Sequence, residues 1–360
     1  MGQKRKSLGP RIVVLGIGGC GGNTLDHLMQ AGVSGADLIA LNTDAQDLEK
    51  IRAHKKIVLG PNVSGGLGAG ANPDLGARAM EESLDELMRE LEGAHMVFLT
   101  AGFGGGTGSG ALPVAAQAIA ERGILSVAVV TLPFSNEGRR KWEVASEALE
   151  KMKPHVDTYI TIHNDRLLEL AGKKPFTQAL REGSMVLYRS VKGILDIISH
   201  SGIINVDFRD VDTVLRKGGQ AMMGIGTAEG EDRVEKALER ALRSPILEHQ
   251  SIQGARHVLL NVVFGSEDRE PLSDEWNYIL GRVRSEASIN GEEPEIIHGL
   301  TRIPELGEKL EITIIASGIA QRPRRGISPL VRKRPRPKPE APRGPSDNPD
   351  LPAYYRRKYN

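Results

Sequence analysis

Short apolar runs separated by glycine dominate the first half of the chain. Residues 11–15, 37–41, 56–59, 95–100, 125–131 and 158–162 are four to seven residues long. Runs of that length, several rich in β-branched residues, predict buried strands. Between them the spacing becomes helical. Leu25, Leu28 and Met29 share a face in 23–30, and Pro73 stands at a favoured first helical position for a helix over 73–91. Further helices are predicted up to residue 121 and over 139–152. Strands alternating with helices predict a parallel sheet covered on both faces. Residues 177–199 then read as one long helix, with Leu187, Val191, Ile194, Leu195 and Ile198 on a common face. After it, strand-like runs at 220–226, 257–264 and 310–317 alternate with helices at 232–243 and 274–287. That pattern predicts a smaller mixed α/β domain. No internal repeat is present.

A length of 360 residues suits two domains. The single cysteine, Cys20, excludes a disulfide scaffold and a four-cysteine zinc site, and fits a reducing, cytoplasmic compartment. No apolar run reaches the roughly 18 residues of a membrane span. The run from Ala111 is cut by Glu121 and Arg122, and the basic residues 4–6 lead into no signal-peptide core. The net charge of +1 conceals an asymmetry. Residues 321–360 hold 12 Lys and Arg against three Asp and Glu, a charge of +9 that leaves the rest of the chain at −8. Nine of the 20 prolines lie there too. Such a segment buries too little to offset its ordering entropy, so a disordered tail is expected. The acidic body speaks against a specific nucleic-acid partner.

Two glycine clusters carry the candidate chemistry. Residues 16–22 (GIGGCGG) contain G-x-G-x-x-G between a strand and a helix, with Asp44 after the next strand. Taken alone this is the dinucleotide fingerprint, and a nicotinamide-dependent dehydrogenase is one reading of it. Residues 104–110 (GGGTGSG) repeat the arrangement after a later strand. A dinucleotide fold needs one such loop. Two loops at the carboxyl ends of neighbouring strands would hold a chain of phosphates, with Thr107 and Ser109 adding hydroxyls. Neither is a G-x-x-x-x-G-K-[ST] loop. The structural alternatives are a tight turn for the first cluster and a glycine hinge for the second.

GGGTGSG resembles the signature of the tubulin/FtsZ family, and further stretches resemble its FtsZ branch in the same order: 42–46 (NTDAQ), 66–73 (GLGAGANP), Pro133-Phe134 with Glu137-Gly138, and 164–168 (NDRLL). The resemblance covers about residues 11–318. It implies a Rossmann-like, GTP-binding and GTP-hydrolysing domain at 11–176, a central helix at 177–200, and a C-terminal domain at 201–318 that activates hydrolysis. Residues 1–10 would form a basic extension and 319–349 a linker. The protein would polymerise head to tail into the cell-division ring. Phosphates would lie against Gly18, Gly19, Cys20, Gly21, Gly22 and Asn23 in the first loop. Gly104, Gly105, Gly106, Thr107, Gly108 and Ser109 would supply the second. Mg²⁺ would lie between the phosphates, with no dedicated protein metal ligands assigned. Asp44, Ala69, Gly70 and Asn72 would flank the phosphate end. Pro133, Glu137, Lys141, Asn164 and Met185 would flank the sugar and base.

Residues 205–211 (NVDFRDV) resemble the loop that, in this family, enters the nucleotide face of the next subunit. Asp207 and Asp210 are then the candidates that activate water, with Asn205 as a positioner. Read without the family, the same pair is a helix N-cap and a first-turn acid. Three departures stand out. Ser64-Gly65-Gly66 replaces a Thr-Arg-Gly, Lys141 replaces an arginine, and Leu180 and Met185 fall where the family presents Phe and Asp to guanine. Lysine lacks the guanidinium fork, and an apolar pair cannot accept from the base. They motivate an alternative, a structural filament with altered nucleotide choice and little hydrolysis. Residues 350–360 (DLPAYYRRKYN) resemble the family's terminal peptide, which implies membrane-anchor adaptor proteins as partners and only an indirect or weak tie to anionic lipid through the basic tail. The implied location is cytoplasmic, at the division site.

Overall fold

The computed structural model describes residues 9–165, 176–199, 202–244 and 251–319; within the long helix, side chains are described over 185–198. Leu180 as a side chain, residues 1–8 of the basic extension, 166–168 and the tail peptide at 350–360 lie outside the described residues.

The chain begins with β1 (Ile12–Ile17), α1 (Gly18–Gln30), β2 (Ala36–Asn42), α2 (Ala45–Lys50), β3 (Lys55–Val58) and α3 (Pro61–Ser64). Then follow α4 (Pro73–Glu90), β4 (Met96–Gly102), α5 (Thr107–Glu121), β5 (Leu125–Leu132), α6 (Arg139–Met152) and β6 (Thr158–His163). The long helix α7 (Phe176–Ser199) leads to α8 (Phe208–Leu215) and β7 (Gly219–Gln220). The remainder is β8 (Met222–Glu229), α9 (Arg233–Leu242), β9 (His257–Phe264), α10 (Ser273–Ala287), β10 (Glu295–Arg302) and β11 (Lys309–Ser317).

Seven strands form a parallel sheet in the order β3-β2-β1-β4-β5-β6-β7. One face is packed by Leu25 and Leu28 of α1 and by Leu187, Val191 and Ile194 of α7. The other is packed by Met80 and Leu87 of α4, Leu112 and Ile119 of α5, and Ala145 and Met152 of α6. Strands covered on both faces need continuous apolar sequence, and β1, β4 and β5 are buried along almost their whole length. The second sheet is mixed, in the order β10-β9-β11-β8, with β9 and β10 parallel and the other pairs antiparallel.

Most sequence expectations hold to within one or two residues, and α6 and β9 begin and end where the pattern put them. Three kinds do not. Both glycine clusters, expected as loops, are partly helical, because α1 starts at Gly18 and α5 at Thr107. Close packing compels this: a Cβ on Gly16 would lie 2.5 Å from the Gly21 carbonyl oxygen, and one on Gly21 2.4 Å from that of Thr100. Contact between strand and helix overrides glycine's poor helix propensity. Next, α2, α3 and β10 were not anticipated, and of α8 only the N-cap and first-turn acid at Asp207 and Asp210 were foreseen. Helices α2 and α8 are short, at six and eight residues, and each opens on an aspartate cap. Finally β7, from the segment expected to belong wholly to the second domain, joins the first sheet beside Thr158 and Tyr159.

Candidate functional site

The sheet order reverses between β1 and β4. These strands pair directly in register, Ile17 opposite Ala101, so the two glycine clusters leave the sheet side by side. In open α/β sheets that crevice at the carboxyl ends is where ligands bind.

Three long helices point their N-termini into it. A Cβ on Gly18, the first residue of α1, would lie 3.4 Å from the Gly108 nitrogen and 3.4 Å from Cβ of Thr107 at the start of α5. A Cβ on Gly106, just ahead of α5, would lie 2.8 Å from the nitrogen of Asn72, which caps α4, and 2.7 Å from Cβ of Ala69. Where α4 and α5 run on together, a Cβ on Gly110 would meet the Pro73 carbonyl oxygen at 1.9 Å, and one on Gly76 that of Gly106 at 2.4 Å. Only glycine permits the approaches at Gly76, Gly106 and Gly110, and the positive φ of Gly18 favours glycine there, so these residues let the helix ends converge.

The caps differ in a telling way. Asn72 accepts from the backbone N–H groups of Asp74 and Leu75 at the start of α4. Neither Ile17 before α1 nor Gly106 before α5 offers a side-chain cap, and neither helix has an acid in its first turn. The early N–H groups, on Gly18, Gly19 and Cys20 and on Thr107, Gly108 and Ser109, precede the first intrahelical bonds. N–H groups at two helix starts, with the helix dipoles aligned on one point, make an anion site.

Side chains brace this crevice. The Thr43 and Thr107 hydroxyls lie 2.6 Å apart, tying the end of β2 to α5. The buried Ser109 hydroxyl accepts from the Gly104 N–H at 2.8 Å, so it shapes the second loop from within. Asp44 caps α2 by accepting from the Asp47 N–H, and a Cβ on Gly68 would lie 3.7 Å from that of Asp44. The Gly68 N–H donates to the Thr43 carbonyl oxygen, which lays the third loop beside the crevice. Gly70 and Ala71 adopt positive φ there. Gly105 has open space at its α-carbon. Gly22 packs on Ile51, while Asn23 is exposed.

The sugar-side candidates form a second group. A Cβ on Gly104 would be 3.3 Å from both Pro133 Cγ and the Lys141 carbonyl oxygen. Glu137 accepts from the Phe134 N–H at 2.8 Å and from Lys141 Nζ at 2.6 Å. The Lys141 amine is therefore engaged with the acid that the sequence reading placed at the ribose. Asn164 follows the end of β6, beside Asp165, whose carboxylate accepts from the Ser135 N–H. Met185 stands apart from these contacts. It lines a cleft of about 1060 Å³ between α7 and the second sheet, together with Tyr188, Lys192, Arg240 and Glu311. In that cleft Lys192 is paired with Asp196 one turn on, and Thr227 Oγ1 donates to Glu311 Oε2 at 3.1 Å. Burial pushes the Glu311 carboxyl above its usual range, against the pull of the Thr227 hydroxyl and of Lys192. Burial also lowers Lys192, but its bond to Asp196 and the surrounding acids prevail and hold it above the usual lysine value.

Asp207 and Asp210 lie elsewhere. Asp207 Oδ1 accepts from the Asp210 N–H and Asp210 Oδ2 from the Asp207 N–H, both at 2.9 Å. This reciprocal capping box starts α8. The Asn205 side chain accepts from the Gly202 N–H at 2.8 Å. The Phe208 ring lies 6.2 Å from that of His95, the residue just before β4. The acidic loop is thus at the amino ends of the strands whose carboxyl ends carry the glycine clusters. Asp47, Asn42 and Thr43 were missed as site residues, since nothing in the linear spacing brings α2 to the first glycine loop.

Among the described residues no helix is long and apolar enough to cross a membrane. A family model described as Tubulin/FtsZ family, GTPase domain matches residues 11–172, and one described as FtsZ family, C-terminal domain matches 219–320. Cell division protein FtsZ 1 of Thermococcus kodakarensis is 44% identical over 310 residues, 86% of this chain and 81% of that protein. Cell division protein FtsZ of Caulobacter vibrioides is 42% identical over 314 residues, 87% of this chain and 60% of that one. An empty FtsZ dimer structure from M. jannaschii superposes with a TM-score of 0.81 at 39% identity, covering 88% of this chain and 90% of that chain.

Proposed function

The chain belongs to the tubulin/FtsZ family, in its FtsZ branch, and from that premise we propose that it binds and hydrolyses GTP and assembles head to tail into filaments of the cell-division apparatus. The observation that carries this reading is the convergence of the α1, α4 and α5 N-termini at the β1/β4 switch point. A run of phosphates would take the N–H groups of Gly18, Gly19, Cys20, Gly105, Gly106, Thr107 and Gly108. Gly21 and Gly22 would let α1 close on the sheet, with Asn23 at the rim. Ala69, Gly70 and Asn72 would border the terminal phosphate. Pro133, Glu137, Lys141 and Asn164 would receive the sugar and base, while Met185, expected beside the base, lines the separate cleft next to the second sheet. This reading divides the chain at 11–176, 177–200 and 201–318, with β7 of the last segment added to the first sheet.

Mg²⁺ suits the place on its donor chemistry, since hard oxygen atoms of Thr43, Thr107 and Asp44 border it. When bound, such an ion neutralises charge that develops on the phosphates. Everything else falls to the protein. The glycine loops orient the phosphate chain, and a carboxylate must orient the attacking water and accept its proton.

Asp207 and Asp210 would not serve the nucleotide of their own chain. With seven residues in β4, the two ends of the sheet are separated by roughly 23 Å. Asp207 and Asp210 would instead meet the nucleotide of a neighbouring copy, with Asn205 holding the loop. Two exposed apolar side chains suit that contact: Leu67 is 85% exposed in the third loop, and Ile203 is 60% exposed just before Asn205. One patch at each end of the molecule gives a heterologous contact, which repeats as a filament. The relatives are named as cell division proteins, which supports action at the division site; the protein would work there from the cytoplasm, with residues 350–360 as its tether through membrane-anchor adaptors.

The test is phosphate release as a function of protein concentration, with GTP and with ATP. Activity that rises only above a threshold, with GTP alone, is the expected result. Activity with both nucleotides would mean that the apolar positions Leu180 and Met185 have relaxed the base pocket. Absence of activity with either would replace this reading with the structural-filament alternative.

A further inference from the structure

The first glycine loop has an anionic neighbour. Asp47 Oδ2 lies 3.3 Å from where a Cβ on Gly19 would be. Asp47 is held there by one bond to its carboxylate and one from its backbone. The Asn42 amide donates to Asp47 Oδ2 at 3.0 Å, and the Asp47 N–H is fixed by Asp44 Oδ1 at 3.0 Å. Asn42 also ties the pair together, since its Oδ1 accepts from the Asp44 N–H at 3.3 Å. Among the described residues no cation pairs with Asp47.

This position matters because α1 has neither a side-chain cap nor a first-turn acid of its own. A negative charge is favoured near that N-terminus, and the one the fold supplies comes from α2. A nucleotide phosphate brought to Gly18 and Gly19 therefore arrives beside a fixed negative charge. At a separation of a few ångströms in a partly buried site, like charges repel strongly. A divalent cation arriving with the phosphate cancels that repulsion and turns the same carboxylate into an attractive neighbour.

We propose that Asp47 makes nucleotide binding by this chain conditional on a divalent cation, as a fixed charge that penalises the bare nucleoside phosphate and not the metal-bound one. The inference rests on the GTP-site reading above, and it concerns selection between two forms of the same ligand.

The experiment measures GDP and GTP dissociation constants for the full chain in excess Mg²⁺ and in EDTA. Wild type, Asp47→Asn and Asp47→Ala are compared. Glu49→Gln serves as a control that removes the same charge from an exposed position on the same helix. Thermal melting of each variant checks that the fold is intact, and Asp47→Asn keeps an acceptor for Asn42. In wild type, withdrawal of Mg²⁺ should weaken binding at least about tenfold more than in Asp47→Asn. Glu49→Gln should follow wild type. If Asp47→Asn and wild type lose the same factor on Mg²⁺ removal, the proposal is overturned. If Glu49→Gln behaves like Asp47→Asn, the effect belongs to net charge and the proposal fails as well. Wild type that binds neither nucleotide in either buffer would overturn the GTP-site reading itself, a result distinct from both.

Discussion

Replacing Asp210 separates the cap that the structure gives it from the catalytic duty proposed for it. Its Oδ2 caps α8 by accepting from the Asp207 N–H, and its charge would act on a neighbour's nucleotide. Loss of a capping acceptor costs about 1 kcal/mol. Loss of a general base lowers turnover on the order of 10²- to 10⁴-fold, equivalent to about 3–5 kcal/mol in the barrier. Asp210→Ala should therefore melt slightly earlier and bind GTP normally, yet release almost no phosphate. Asp210→Asn keeps an acceptor oxygen, so it should recover the stability and not the turnover. Full turnover in Asp210→Asn would refute the assignment.

A mixing experiment tests whether the site is shared between chains. The second variant is Gly106→Ala, whose Cβ would lie 2.7 Å from that of Ala69 and 2.8 Å from the Asn72 nitrogen, displacing the phosphate loops. Alone, each variant should be inactive: one lacks the acid, the other the nucleotide face. Mixed in equal amounts, a contact is productive when Asp210→Ala presents its nucleotide to a Gly106→Ala neighbour. With random pairing through a heterologous contact, about a quarter of contacts meet that condition. A site completed within one chain predicts no recovery. Phosphate release from the mixture at the level of the separate variants would refute the shared site.

Three further outcomes follow from the packing and charges. Leu67→Ser or Ile203→Ser removes an exposed apolar side chain whose burial is worth about 1.5–3 kcal/mol, so the concentration needed for sedimentable polymer should rise about tenfold or more while GDP affinity stays unchanged. Gly110→Ala drives a Cβ to within 1.9 Å of the Pro73 carbonyl oxygen and should destabilise the α4–α5 contact by about 2–3 kcal/mol in urea titrations, with loss of nucleotide affinity as the helix ends part. Glu311 has its pKa raised by burial, so the folded state holds its proton more tightly than the unfolded chain. Stability from this group falls as pH rises from about 4.5 through the raised folded value. Glu311→Gln should flatten that fall and melt at or above the wild-type temperature at pH 7, and a lower melting temperature there would show that the Lys192 attraction outweighs the burial cost.

The sheet was readable because burial on both faces leaves β1, β4 and β5 few polar positions to confuse their pattern. Helices such as α6 and α7 were readable because each hides one stripe. The misreadings have a common cause. α1 was expected to start at residue 23 because Gly18 to Gly22 are poor helix formers, and only the contact with Thr100 and Gly16 makes helix the better state there. α8 has only eight residues, so beyond two aspartates three residues apart the spacing of Val211, Val214 and Leu215 is too brief to stand out as a stripe. The same two residues carried both readings offered for them, and the geometry realises the cap without removing the chemistry, since each carboxylate uses one oxygen in the box.

What sequence alone could not supply is the direction in which these groups face. Spacing of 101 residues separates Gly106 from Asp207, and it is as compatible with adjacency as with separation. The parallel register decides the matter. Because β1 and β4 run the same way, both glycine clusters must leave at one edge of the sheet, and His95, which enters β4, must stand at the other. Phe208 packs on His95, so the acids follow it to that far edge. With the proposed nucleotide site at one pole and its proposed acid at the other, each subunit would be incomplete twice over. An isolated chain would then have little means of hydrolysing its nucleotide, and a neighbour would complete it at each end. On that reading, coupling of hydrolysis to assembly would be a consequence of strand direction and would need no separate switch.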